Sequence, residues 1–258
     1  MSAFLPQFLI LLAGCPRVFG LVALTPGFDA TFVPPLVRVT LAGALALALS
    51  ALIATPSATV LNLTPQAYLA LLLSELLLGA ILGWLLSCLL EAARLAGEIV
   101  DLQIGFRAGE LYDPATSGHS SVLGRLWYLS ALVFFFAVNG HHWLLAGLAR
   151  SFELCPVGEL VYQKQLAALA VEALAALFTL ALQLAAPVVA ALILADLTLG
   201  LVGRSMPQMN LMLVGMPGKI LIGLAALTAC SPLAANALTL MLEQFQGLLQ
   251  AALRAAGA

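Results

Sequence analysis

Hydrophobic residues run along this chain in long charge-free stretches parted by short polar connections. Residues 1–16 carry no charge, and the apolar pattern resumes after Arg17 as far as Leu24. Residues 39–74 are also charge-free, with Pro56, Asn62 and Pro65 marking a turn inside them. That turn predicts one segment near 36–54 and another near 66–90, the second holding only Glu75. Clean runs follow at 126–149 and 173–195. Beyond Arg204, apolar sequence resumes near Asn210 and continues to Met241, broken by Pro217-Gly218-Lys219 and by Ser231-Pro232. A membrane helix needs about 20 mostly apolar residues. The pattern therefore predicts an all-α, membrane-associated chain of about six apolar helical segments, the last kinked. Nothing repeats at a period of about 20–50 residues.

Two polar stretches interrupt the pattern. Residues 91–125 hold eight charged side chains. Glu91, Arg94, Glu98 and Asp101 fall at steps of three, four and three, which places them on one helical face. Two of the three acids can share Arg94, and the third needs another partner or water. The helix is expected to end near Gly105. Phe106 to Arg125 then reads as a loop, with Gly109, the Tyr112-Asp113-Pro114 turn and Thr116-Ser117-Gly118. A structureless loop of about 20 residues is unusual, and such loops carry function or are disordered. The second polar stretch is 150–172, where Cys155-Pro156 ends a helix. Within the apolar segment near 66–90, Gly79 and Gly83 form a G-x-x-x-G continued by Ser87. Small residues four apart admit a second helix. Because the stripe drifts by about 40° per step, it suits a crossing rather than a long parallel contact.

Composition narrows the class. Of the 258 residues, 63% are hydrophobic and only 9% charged, with a mean hydropathy of +1.09. A soluble globule of this length needs a charged coat that these side chains cannot supply. A net charge of −2 with no basic patch argues against a nucleic-acid partner. What remains is a polytopic membrane protein or a subunit buried in a membrane assembly, in contact with lipid. The bias of Lys and Arg between alternate loops is too small to fix an orientation. Cys15, Cys88, Cys155 and Cys230 lie far apart in or beside apolar stretches and read as buried free thiols. Leu12-Ala13-Gly14-Cys15 matches a lipoprotein-type box. No basic residue precedes it and apolar sequence continues beyond it, so a first membrane segment is the better reading.

The chemistry of common enzymes is missing: no G-x-S-x-G, P-loop, H-E-x-x-H or G-x-G-x-x-G occurs. His141 and His142 are adjacent, point about 100° apart on a helix, and make a poor metal pair. No cofactor or metal is expected. Glu75, Asp196, Arg204 and Lys219 flank or interrupt apolar segments. Such residues mark a proton or substrate path or pair between subunits, and without an acid–histidine chain in one segment the second reading is preferred. Met206, Met209, Met212 and Met216 suit packing, or a gasket that repacks.

Specific strings carry a resemblance. AGEIVDLQIGF followed by YDP, then LGRLWYLSALVFFFAVNGHHWLL and SFELCPVG, and finally APVVAALILADLTLGLVGRSMPQMNLMLVGMPGKILIGL, resemble the FliR family of flagellar export-gate proteins, called SctT in injectisomes. The ordered set is Gly97-Glu98, Gln103-x-Gly105, Asp113-Pro114, Gly140-His141, Pro187, Arg204 and Pro207-Gln208-x-Asn210. The resemblance spans about residues 5 to 240. It implies a structural, non-enzymatic pore subunit, one copy closing a cone of FliP-type and FliQ-type subunits. Residues of about 1–165 are then FliP-like and about 166–258 FliQ-like, with the apolar segments packed as hairpins. Unfolded export substrates would pass through the pore, and FlhB-type and FlhA-type proteins would dock at its cytoplasmic side. The location implied is the bacterial inner membrane, in the flagellar basal body; GEI and NGHHWLL favour flagellar over injectisome. Gly97, Glu98, Gln103, Gly105, Gly140, His141, Pro187, Arg204 and Pro207 become family-motif and assembly positions. Gln208, Met209 and Asn210 become a turn at the cytoplasmic mouth. The loop after Gly105 becomes a pore plug: Phe106, Leu111 and Tyr112 supply bulk, Arg107, Glu110 and Asp113 keep it soluble when displaced, and Pro114 closes its turn. The competing readings are a solvent-exposed loop and, for the whole chain, a small-molecule transporter, which would show matching halves.

Overall fold

The computed structural model describes residues 4–27, 33–49, 64–106, 121–157, 164–206 and 211–257. Among them are eight helices and no strand: α1 (Phe4–Leu24), α2 (Pro35–Ala48), α3 (Pro65–Ile104), α4 (Val122–Ala137), α5 (Gly140–Leu154), α6 (Lys164–Ser205), α7 (Leu211–Ala229) and α8 (Ser231–Gly257). The Pro34-Pro35 step starts α2, where a proline needs no amide donor.

The expected six segments are redrawn in three places. The run 126–149 is two helices, α4 and α5, bent by 68°. The cause is Asn139, which adopts a left-handed conformation with φ 60° and ψ 31°, followed by Gly140. Asn tolerates that region better than other side chains do. The apolar segment near 66–90 and the polar-faced helix expected to end near Gly105 are one unbroken helix to Ile104, whose polar face pairs with itself. The run 210–241 breaks at Cys230, where α7 gives way to α8, and Pro217 lies inside α7. Met212 and Met216 therefore share one helix.

Among the described residues two helices, Pro65–Ile104 and Ala168–Ser205, are long and apolar enough to cross a membrane, and the bent pair α4 and α5 makes a third if taken as one span. At 40 residues, α3 is about 60 Å long, twice the roughly 30 Å hydrocarbon core of a bilayer. Along α6 the side chains of Val171, Leu174, Phe178, Leu182, Leu194, Leu197 and Leu201 are all exposed. That much uncovered apolar surface calls for lipid or protein partners.

The chain forms two compact units. The first comprises Met1–Leu89, Phe135–Ala175 and Glu243–Ala258; the second comprises Leu90–Phe134 and Ala176–Leu242. In the first, Val18, Leu21, Leu78, Leu82, Leu85, Leu148, Phe152 and Phe245 are buried. Phe135 meets Phe245 edge to face, ring centroids 6.3 Å apart. In the second, Ala92, Ala96, Val100 and Ile104 of α3 are buried with Leu123, Leu184, Val188 and Leu192. There, α7 comes close at Gly223: a methyl group on it would meet Ile104 Cδ1 at 2.7 Å and Leu192 Cδ2 at 3.4 Å.

Candidate functional site

Polar side chains are few enough here that where they meet is informative. The first unit has such a centre. Arg17 of α1 is wholly buried, as is Glu75 of α3. Arg17 Nε donates to Glu75 Oε2 at 2.7 Å. Its Nη1 donates to the Ser151 carbonyl oxygen at 2.9 Å and to Ser151 Oγ at 3.2 Å. Its Nη2 donates to the Cys155 carbonyl oxygen at 3.0 Å. The guanidinium carbon lies 4.3 Å from the centroid of the Phe152 ring, a cation–π distance. Ser151 and Cys155 close the C-terminal end of α5, where helix carbonyls lack intrahelical donors and the dipole favours a cation. One side chain thus ties α1, α3 and α5 together.

That junction depends on how closely α1 and α3 approach. A methyl group on Gly79 would collide with the Arg17 carbonyl oxygen, and one on Gly20 with the Leu76 carbonyl oxygen. On Gly83 it would stand 2.5 Å from the Leu21 carbonyl oxygen. Ser87 Oγ donates to the Leu24 carbonyl oxygen one turn further on. Gly79, Gly83 and Ser87 are therefore brought together on a single neighbouring backbone.

The second unit gathers the polar residues at the end of α3. Arg94 is shared by Glu91 and by Glu98, the latter at 2.8 Å. Asp101, the third acid of that face, is buried. Its Oδ2 accepts from the Ser121 hydroxyl and, at 3.1 Å, from the Leu123 amide. Ser121 Oγ accepts in turn from the Gly124 amide at 2.7 Å. Asp101 and Ser121 together cap the start of α4, since they satisfy amides that have no helical partner. The helix therefore begins at Val122, and residues 122–125, expected in the loop, belong to its first turn. Gly97 faces this turn, and a methyl group on it would stand 2.5 Å from the Leu123 carbonyl oxygen. Asp101→Ala is expected to lower the stability of the protein by about 2 kcal/mol, since it strips a buried cap of its acceptor. Asp101→Asn should recover most of that. The melting temperature of the purified protein in detergent checks both.

Beside this cap, Gln103 Nε2 donates to Asp196 Oδ2 at 3.4 Å. Lys219 Nζ pairs with the same carboxylate at 2.8 Å. Three helices, α3, α6 and α7, meet at one carboxylate. The expectation that buried ions pair between subunits is corrected here for three of the four: Glu75 pairs with Arg17, and Asp196 with Lys219, within this chain. Arg204 lies in the last turn of α6.

The remaining expected positions are scattered. Gly105 ends α3 at φ 94°, and Phe106 after it is exposed. The Gly105 and Phe106 amides donate to the Asp101 carbonyl oxygen at 3.1 and 3.2 Å. Gly140 lies under the Phe135 ring. The His141 ring centroid lies 5.4 Å from that of Phe136 and 4.3 Å from that of His142, the rings tilted by 37° and 51°. Its Nδ1 is buried with no hydrogen-bond partner among the described residues. Pro187 lines an apolar cavity of about 530 Å³ with Trp127 and Cys230. Arg107, Glu110, Leu111, Tyr112, Asp113 and Pro114 lie outside the described residues, as do Pro207, Gln208, Met209 and Asn210. Among the described residues no three His, Cys, Asp or Glu side chains come together as a metal site. The residues that sequence reasoning passed over are Arg17, Ser151, Phe152 and Ser121.

Residues 8–245 match the family described as Bacterial export proteins, family 1. The chain is 35% identical to the flagellar biosynthetic protein FliR of Bacillus subtilis, covering 70% of this chain and 73% of that protein. It is 30% identical to the flagellar biosynthetic protein FliR of Escherichia coli, covering 85% of this chain and 83% of that protein. It is 27% identical to the secretion system apparatus protein SsaT of Salmonella typhimurium, over 65% of each chain.

Proposed function

The chain belongs to the bacterial export proteins of family 1, and on that premise we propose that it is a pore subunit of the flagellar type III export gate. The observation that carries this reading is the match over 8–245, joined by FliR relatives of which it covers 73% and 83%. In this reading one copy joins FliP-type and FliQ-type subunits in a cone in the bacterial inner membrane, within the flagellar basal body. About residues 1–165 are the FliP-like part and about 166–258 the FliQ-like part. Unfolded flagellar substrates pass through the channel, and FlhA-type and FlhB-type proteins meet it on the cytoplasmic side, where Gln208, Met209 and Asn210 form the mouth. The subunit is structural and not an enzyme. The exposed apolar residues of α6 supply the surface such neighbours cover. The SsaT relative favours one second reading, the injectisome counterpart of the same subunit.

The segment after Gly105 acts as the plug, with Phe106, Leu111 and Tyr112 as its bulk. Its support is the shared anchor of its two described ends: Gly105 and Phe106 bond the Asp101 carbonyl, and Ser121 bonds the Asp101 carboxylate. A segment tied at both ends to one residue can be displaced without disturbing the helices. Deleting Arg107 to Ser117 is expected to leave co-purification with FliP-type and FliQ-type subunits intact. Ion permeability of cells expressing the complex should rise. Unchanged permeability in an assembled deletion complex refutes the plug, and failure to co-purify with either subunit type in the parent protein refutes the export-gate reading.

A further inference from the structure

We propose that the groove between α5 and α8 in the first unit binds the headgroup of an anionic phospholipid. The groove is a cavity of about 460 Å³, within the range of about 300–1,000 Å³ usual for small-molecule sites. On α5, Trp143, Gly147, Arg150 and Leu154 recur at steps of four, three and four, so they share a face. The floor is apolar. Gly147 lets Leu249 of α8 close it, and a methyl group on that glycine would meet Leu249 Cδ2 at 2.9 Å.

The rim is cationic. Arg150 and Arg254 are both exposed at it, with Gln246 and Gln250 as further donors and no acidic residue lining the groove among the described residues. Arg17 and Arg94 hold carboxylates in this chain. Among the described residues Arg150 and Arg254 hold none. Two guanidinium forks above a leucine floor fit a ligand that offers a phosphate and hydrocarbon together. Guanidinium binds phosphate through paired, charge-assisted hydrogen bonds. Trp143 suits the junction of headgroup and acyl chain, where its ring is apolar and its N–H polar. Basic pockets between helices of membrane proteins take anionic headgroups for the same reasons. An acidic segment of a partner protein supplies the charge but leaves exposed Leu154 without an acyl chain to cover it.

The test uses the full-length chain, purified with its partner subunits in detergent, stripped of lipid and titrated with phosphatidylglycerol or phosphatidylcholine. Native mass spectrometry reads the bound lipid. The parent protein is expected to prefer phosphatidylglycerol by about tenfold or more. Arg150→Gln with Arg254→Gln should reduce that preference to less than about twofold, while Arg125→Gln, also exposed but outside the groove, should leave it unchanged. Brominated phosphatidylglycerol should quench the parent's tryptophan fluorescence more than that of Trp143→Phe. No preference in the parent, or an unchanged preference in the double variant, overturns the proposal. So does a double variant that loses a partner subunit but keeps its lipid preference, since the groove is then a protein interface.

Discussion

Replacing Arg17 by Met is expected to cost about 3–5 kcal/mol, the usual penalty for removing one partner of a buried ion pair. That is a large share of the roughly 5–15 kcal/mol that holds a domain folded. The penalty arises from what is left behind. Glu75 is 0% exposed and loses the cation at 2.7 Å, while the carbonyls of Ser151 and Cys155 lose their donor. Arg17→Met combined with Glu75→Leu removes both charges and fills their space with hydrocarbon, so the pair should recover more than half of the loss. The amount of chain in purified membranes and its melting temperature in detergent measure both variants. A single variant that accumulates and melts like the parent would show that the pair contributes nothing.

Gly79→Val should be as severe by another route. Its side chain would occupy the position of the Arg17 backbone carbonyl, and a backbone cannot move aside like a flexible side chain. The two helices must part. The Ser87 bond to Leu24 is lost with the close approach, and Arg17 is drawn away from Glu75. Overpacking of this kind costs about 3 kcal/mol or more. Gly43 makes the control, since among the described residues nothing lies within 4 Å of a methyl group built there. Gly43→Ala in α2 should stabilise by about 0.5–1 kcal/mol, because alanine favours a helix. Thermal melting of the two variants side by side decides the matter; similar values for both would remove the crossing from the explanation.

The apolar pattern made the helical class legible, along with the helix ends at Leu24, Gly105 and Cys155. It missed the bend at Asn139 because apolar residues continue on both sides, although Asn-Gly is itself a turn signal. The charged stretch 91–101 was legible as helix from its three- and four-residue steps, and Glu91, Arg94 and Glu98 satisfy one another on that surface. In the site, Arg17 read as a boundary and Glu75 as a lone acid. Their pairing was legible only in combination: Gly79 lies one turn from Glu75 and marks where a second helix must cross. Ser121 carried no signal, because its role depends on Asp101, twenty residues away.

The Arg17 junction also sets a timetable. Arg17 precedes Glu75 by 58 residues and Ser151 by 134. At a synthesis rate of about 5–20 residues per second, α1 waits roughly 3–12 s for its carboxylate and roughly 7–27 s for the carbonyls of α5. Throughout that interval an unpaired guanidinium stands in an apolar helix, which a bilayer tolerates poorly. The newborn chain therefore needs a sheltered, wet waiting place, such as the lateral opening of an insertion channel, until α3 arrives. Synonymous codons that slow elongation between residues 24 and 75 should lengthen the wait and increase the fraction of chains degraded before they are complete.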